Sequence, residues 1–150
     1  MSEKQVPEPR FTVITLGVAD MRRSIGFYTA LGFERRWHES GEAVAFFNTG
    51  GTMIALFPWD ELAKDATLPA DPRSQPFRGV TLAWNCRSPE EVDEVLAFAV
   101  SKGASLLKPA HKTFYGGYSG YFLDPDGHAW EAVVAPGVEV GENRRVHMSD

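Results

Sequence analysis

Glu131 is the residue of this sequence best placed to do chemistry. It lies in the stretch GYFLDPDGHAWEAVV, residues 120–134, which predicts two β-strands joined by a tight turn at DPDG. Burying a carboxylate without a partner is costly, so its position among apolar neighbours needs a reason. Two interpretations stay open. Glu131 is a catalytic base or a ligand anchor in a cavity, or it is a structural residue that pairs with a basic side chain or is solvated.

A second group of candidates precedes this stretch, in and before the segment TFYGGYSGY, residues 113–121. The segment holds four aromatic residues beside paired glycines that permit a bulge, namely Phe114, Tyr115, Tyr118 and Tyr121. We expect one or two of the tyrosines, with Tyr115 and Tyr118 as the candidates, to offer aromatic faces and hydroxyls to a planar ligand. The alternative is that these tyrosines are ordinary strand formers in a half-buried sheet. His111 is either a general base that reaches over a cavity or a surface histidine.

The elements that must position these residues fall into two similar halves. In residues 10–58, an alternating strand is followed by a helix that Asp20 caps, and three strand segments come next. Residues 77–135 repeat this order, with Ser88 as the cap and Pro89 in the first turn of the helix. The sequence therefore predicts an α+β fold of tandem βαβββ modules.

Aligning GGTMIA of the first module with DGHAWE of the second places Ala55 opposite Glu131. Two such modules, edge to edge, predict one cupped, roughly eight-stranded mixed sheet with the helices outside. Thr15, Thr81 and Asn85 fall on the concave face, where they would hydrogen-bond a polar organic molecule. Residues 1–9 are predicted to be an arm, residues 59–76 a linker or flap with one short helix, and residues 136–150 a tail that is loose or used at an interface.

The composition excludes several classes of function. The 150 residues carry a net charge of -5 with no basic run, which argues against nucleic-acid binding. The sequence has no signal-peptide pattern and no apolar run long enough for a membrane helix. The single cysteine, Cys86, excludes an internal disulfide and fits a reducing compartment, so we expect a cytoplasmic protein.

The segments VADMRRSIGFYTALGF and GYFLDPDGHAWE, together with the repeat, resemble the vicinal oxygen chelate superfamily. This superfamily includes glyoxalase I, extradiol dioxygenases, methylmalonyl-CoA epimerase and the bleomycin-resistance proteins. The resemblance implies a metal in the cup, held by the first and last strands of each module. Its ligand positions fall on Val13, Ala55, Thr81 and Glu131. Only Glu131 keeps a metal-ligand side chain, whereas catalytic divalent sites generally need three. We therefore expect no metal and no other cofactor, and Glu131 is then a relic or an anchor.

The resulting prediction is a metal-independent, glyoxalase/bleomycin-resistance-like protein that binds a small organic molecule in the central cup. The alternative is a lyase, isomerase or dioxygenase-type enzyme of the same superfamily that uses Glu131, with an unconventional metal site such as Glu131 with His111. The resemblance also implies a homodimer. Beyond a second copy, the expected partner is a small molecule and neither a nucleic acid nor a membrane.

Overall fold

The computed structural model describes residues 7–70 and 76–148 and confirms the α+β architecture with two βαβββ modules. The first module consists of β1 (Val13–Val18), α1 (Met21–Ala30), β2 (Glu34–Arg36), β3 (Ala45–Asn48) and β4 (Met53–Pro58). The second consists of β5 (Thr81–Asn85), α3 (Pro89–Ser101), β6 (Ser105–Lys112), β7 (Tyr118–Leu123) and β8 (Ala129–Val134). Between them lies α2 (Trp59–Asp65), and after them the hairpin of β9 (Val138–Val140) and β10 (Val146–Met148).

Both modules build the same four-stranded sheet. The order is β1-β4-β3-β2 in the first and β5-β8-β7-β6 in the second, and in each the first strand runs parallel to the last. Thr15 is paired with Ala55, and Ala83 with Glu131, so the register agrees with the internal repeat. The edge strands β1 and β5 do not pair, but Ile14 of β1 and Leu82 of β5 line the same two cavities, and we call the gap between these strands the seam.

The helices begin where their caps predict. Asp20 Oδ1 accepts a hydrogen bond from Arg23 N at 3.0 Å, and Ser88 Oγ accepts one from Glu91 N at 3.1 Å. Each helix covers one face of its sheet, because alternate strand residues such as Leu16 and Trp130 are apolar and point towards it. The opposite faces of the two sheets form the cup.

The DPDG turn joins the two modules. Tyr28 of α1 donates a hydrogen bond from its hydroxyl to Asp124 Oδ2 at 2.6 Å, and both residues are buried. Asp126 accepts from Ala19 N at 2.8 Å and from Ser24 Oγ at 2.9 Å, at the start of α1. A carboxylate there also meets the positive end of the helix dipole. The turn that is the strongest motif of the sequence is therefore an anchor between modules.

The connecting segments are more ordered than their composition suggests. The short helix predicted in the linker is α2, although residues 71–75 lie outside the described part. Of the predicted arm, only residues 7–9 are described, and they are exposed. The tail, which was expected to be loose or to lie at an interface, forms the β9–β10 hairpin and so is not loose, while its use at an interface stays a prediction. No helix in the described ranges is long and apolar enough to cross a membrane.

Candidate functional site

Glu131 lies on the cup face of the second sheet, in a row that crosses its strands. It is flanked by Ala83 of β5 and Tyr121 of β7, and Lys108 of β6 is paired with Tyr121 in turn. Side chains opposite each other on neighbouring strands have Cβ atoms about 4.5–5.5 Å apart. Burial, followed by the negative charge of Glu131, raises the pKa of Tyr121. A carboxylate beside a phenol that stays protonated forms a potential base and acid pair.

The structure places the other candidates of the second sheet on different faces. His111 is paired with Ser119 and shares the cup face, and its Nδ1 is buried without a hydrogen-bond partner among the described residues. Tyr118 faces α3, where its hydroxyl donates to Asp93 Oδ1 at 2.8 Å. That hydrogen bond raises the pKa of Tyr118 and directs the side chain away from Glu131. Tyr115 lies in the turn before β7 and is 45% exposed.

The sequence left open which tyrosine of this segment faces the cup. The two candidates chosen, Tyr115 and Tyr118, do not include Tyr121, the tyrosine that shares a face with Glu131. A signal for it exists in the sequence. Counting outwards from the DPDG turn pairs Leu123 with Ala129, which pairs Tyr121 with Glu131 two residues further along. Tyr118 is three residues from Tyr121, and an odd spacing in a strand puts two side chains on opposite faces.

The three polar candidates of the first strands are divided by the seam. Thr15 on β1 is exposed and is paired with Ala55, whereas Thr81 and Asn85 lie on β5, paired with Ala129 and Val133. They share the cup side, but they do not converge on one point. Thr15 and Asn85 line two different cavities, one at each end of the seam.

The cavity that contains Thr15 lies under α2, and we call it the α2 cavity. Its volume is about 570 Å³. Its walls come from β1, from α2, from the segments on either side of residues 71–75, and from the start of β8. The main lining residues are Ile14, Thr15, Leu16, Trp59, Leu62, Ala63, Leu68, Phe77, Val80, His128 and Ala129.

Gly17 allows α2 to pack closely against the cup face of β1. A Cβ atom at this glycine would lie 3.1 Å from Trp59 Cε3 and 3.3 Å from Trp59 Cα, both tighter than ordinary contacts. The side chain of Trp59 is held from the other side by a hydrogen bond from its Nε1 to Ala70 O at 2.7 Å. The α2 helix therefore forms a fixed wall of the cavity.

A cluster of Trp59, Arg78 and His128 forms the polar end of the α2 cavity. His128 Nε2 donates to Gly17 O at 2.7 Å, which leaves Nδ1 to accept from Arg78 Nη1 at 3.1 Å. These partners assign a neutral imidazole with its proton on Nε2. The His128 ring stacks on Trp59 with centroids 6.1 Å apart, and Arg78 Cζ lies 4.8 Å from the Trp59 ring centroid. Both imidazole nitrogens are engaged, so His128 positions its neighbours and is not an available base.

The metal site that the resemblance implies does not fit these residues. The side chains of Val13 and Ala55 have no donor atom, and Thr81 offers a neutral hydroxyl. Within residues 7–70 and 76–148, no group of three or more His, Cys, Asp or Glu side chains is placed to hold a metal ion. Glu131 is the only carboxylate at these four positions, and a single monodentate or bidentate ligand is too few for a catalytic divalent site.

The fold and the sequence are similar to those of known proteins. Residues 10–132 match the family described as the Glyoxalase/Bleomycin resistance protein/Dioxygenase superfamily. A glyoxalase-related enzyme from Fulvimarina pelagi has a TM-score of 0.81 and 29% identity, over 94% of this chain and 99% of that one. A glyoxalase/bleomycin resistance protein/dioxygenase from Nocardioides has a TM-score of 0.73 and 25% identity, over 92% of this chain and 91% of that one.

A more distant structure shares the fold alone. The lactoylglutathione lyase from Agrobacterium tumefaciens has a TM-score of 0.65 and 24% identity, over 85% of this chain and 95% of that chain. No curated protein matches the sequence significantly.

Proposed function

Because the chain belongs to the Glyoxalase/Bleomycin resistance protein/Dioxygenase superfamily, we propose that it binds a small, mostly apolar organic molecule in its cup without a metal ion. The observation that carries this proposal is the α2 cavity. Its volume of about 570 Å³ lies within the range of small-molecule sites, roughly 300–1,000 Å³. Its walls are mainly apolar, and a few polar groups are fixed at its ends.

The polar groups suggest how the molecule would be oriented. Arg78 and His128 lie at one end of the α2 cavity, and Thr15 contributes a hydroxyl from β1. Glu131 is two residues from the lining residue Ala129 on the same face of β8, which corresponds to roughly 7 Å along the strand. A ligand with an apolar body under α2 would reach Glu131 with a hydrogen-bond donor at its cup end.

Filling the α2 cavity tests the proposal. A library of small organic molecules is first screened for those that raise the melting temperature of the wild-type protein. The Ala63→Phe variant places a ring in the cavity and should abolish the thermal shift, because the ligand and the new side chain compete for the same volume. The matched control is Ala97→Phe on the exposed face of α3, which should keep the shift. Equal responses of the two variants to every hit would contradict this location.

The prediction that ligand binding needs no metal ion is tested separately. The purified protein is dialysed against a chelator, and its metal content is then measured by mass spectrometry. Ligand binding should be unchanged in the dialysed protein, because the family's ligand positions hold Val13 and Ala55. Stoichiometric zinc, nickel, iron or manganese that survives dialysis, or binding that returns only with added metal, would overturn it.

The pairing of Glu131 with Tyr121 favours a second candidate, an isomerase or lyase that transfers a proton. Glu131 would take the proton from a carbon atom, and Tyr121 would donate one to a neighbouring oxygen. If this reaction occurs, Glu131→Gln and Tyr121→Phe should each lower kcat by about a hundredfold or more with little change in ligand affinity. Tyr115→Phe is the matched control. Glu131→Gln with full turnover would eliminate this candidate and leave the binding proposal intact.

A further inference from the structure

A second cavity lies at the other end of the seam, under the C-terminal hairpin, and we call it the tail cavity. Its volume is about 480 Å³. It is the counterpart of the α2 cavity under the internal repeat, since β5 contributes Ala83 and Asn85 where β1 contributes Thr15 and Gly17. The two cavities differ in what covers them, namely the β9–β10 hairpin here and α2 there.

Aromatic rings form the inner wall of the tail cavity. Phe33 lies 5.5 Å from Trp84 and 5.9 Å from Trp130, measured between ring centroids. Phe33 and Trp84 are only half-buried, so part of each ring faces the cavity. Such a wall favours a flat aromatic ligand, because ring contacts add to the gain from burying apolar area.

The mouth of the tail cavity carries polar groups that the fold does not use. The Arg144 guanidinium and the Asn85 amide make no side-chain hydrogen bond or ion pair with another described residue, and both line the cavity. The other two charged lining residues are already engaged. Arg87 Nη2 donates to Gly141 O at 2.7 Å and so fixes the hairpin, and Glu91 Oε1 accepts from Arg87 N at 2.6 Å. With Arg87 and Arg144 positive and Glu91 negative, the mouth carries a net positive charge.

We propose that the tail cavity is a second ligand site, which takes a planar aromatic anion such as an aromatic carboxylate. The ring system packs against Phe33, Trp84 and Trp130. The anionic group pairs with Arg144, and Asn85 hydrogen-bonds the ligand edge, since a guanidinium binds a carboxylate through charge-assisted hydrogen bonds. The site adjoins the α2 cavity at Ile14 and Leu82, but its aromatic wall and its polar groups are its own, and it does not depend on the function proposed above.

The four tryptophans allow the two cavities to be observed separately in the full-length protein. Trp84 and Trp130 line the tail cavity, Trp59 lines the α2 cavity, and Trp37 lines neither. Their indole N–H signals in ¹⁵N-labelled protein are assigned with single Trp→Phe variants. 2-Naphthoate is then titrated, and its uncharged analogue 2-naphthamide is titrated in parallel. 2-Naphthoate should shift the Trp84 and Trp130 signals in a saturable manner and bind more tightly than the amide.

Variants of residues at the mouth of the tail cavity distinguish specific binding of 2-naphthoate from non-specific association. Arg144→Gln should weaken 2-naphthoate about tenfold and 2-naphthamide by less than about twofold. Arg22→Gln, the same charge change at an exposed arginine outside the cavity, should affect neither. Val146→Trp, at an exposed position of the hairpin, should block both probes. The proposal is wrong if millimolar 2-naphthoate gives no saturable shift, if the two arginine variants behave alike, or if only the Trp59 signal responds.

Discussion

Replacing Tyr28 by Phe should destabilise the protein strongly, because it removes one hydroxyl that joins the two modules. That hydroxyl donates to Asp124 Oδ2 at 2.6 Å and accepts from Trp130 Nε1 at 3.1 Å. Tyr28 is 0% exposed and Asp124 4% exposed, so water cannot replace the lost partner. A hydrogen bond to a charged group contributes about 1.5–3 kcal/mol, and an orphaned buried donor adds about 1 kcal/mol more. The expected loss is about 3 kcal/mol.

Urea denaturation followed by far-UV circular dichroism measures this loss. Small domains have unfolding free energies of about 5–15 kcal/mol, so the variant should remain folded in buffer. Its midpoint should fall by about 1–3 M urea. Tyr115→Phe is the matched control, because its side chain is 45% exposed, and it should change the free energy of unfolding by less than about 0.5 kcal/mol. A loss below about 1 kcal/mol for Tyr28→Phe would refute the inter-module hydrogen bond.

The same residue makes a prediction about alkaline pH. Burial, and after it the charge of Asp124, raises the pKa of Tyr28 well above its ordinary value. Unfolded tyrosine releases its proton near pH 10, whereas the folded residue retains it. The unfolded state then binds fewer protons, so stability falls as the pH rises above about 10 towards the folded pKa. Urea titrations between pH 9 and pH 11 should show a shallower decline for Tyr28→Phe. Identical slopes would contradict the raised pKa.

Three further predictions concern packing, reactivity and assembly. Gly120→Ala should lower the free energy of unfolding by about 2 kcal/mol in urea titrations, because its Cβ atom would lie 2.6 Å from Leu96 Cδ1. Gly26→Ala is the control: its Cβ atom meets nothing within 4 Å, and the variant should stabilise α1. Cys86 should react with Ellman's reagent only on unfolding, because burial and Glu91 raise its pKa to about 12, and rapid labelling of the native protein would contradict this. The homodimer stays a prediction; sedimentation should show a dimer that Leu107→Glu, at an exposed apolar position on the edge strand β6, converts to a monomer.

The fold could be predicted from the sequence, because the sequence signals for it are local and occur twice. Asp20 and Ser88 mark the helix starts, and the alternation in β1 and β5 identifies the faces that the helices cover. Aligning the segments GGTMIA and DGHAWE placed Ala55 opposite Glu131, and the observed strand registers agree. Local propensity, apolar period and cap chemistry all favour the same architecture, which is why it could be predicted.

The site was harder to predict from the sequence, because its geometry depends on long-range contacts. Nothing near Trp59 in the sequence indicates that its ring will stack on His128, which is 69 positions away. The choice between Tyr118 and Tyr121 depends on strand register, which has to be counted from the DPDG turn and is not marked within the tyrosine-rich segment itself. The polar tail gave no sign of a hairpin, because Arg87 and Gly50, which hold it, belong to distant elements.

The positions of α2 and the β9–β10 hairpin have a consequence for how such proteins diversify. Each segment follows the last strand of one module and covers one end of the seam, yet neither belongs to the duplicated unit. Insertions, deletions and substitutions in these two appendages can therefore reshape two pockets independently, while the strand registers and the DPDG anchor are inherited unchanged. A protein with such a duplicated scaffold could acquire new ligands through changes in α2 or the hairpin alone, because the residues that determine the fold would not have to change.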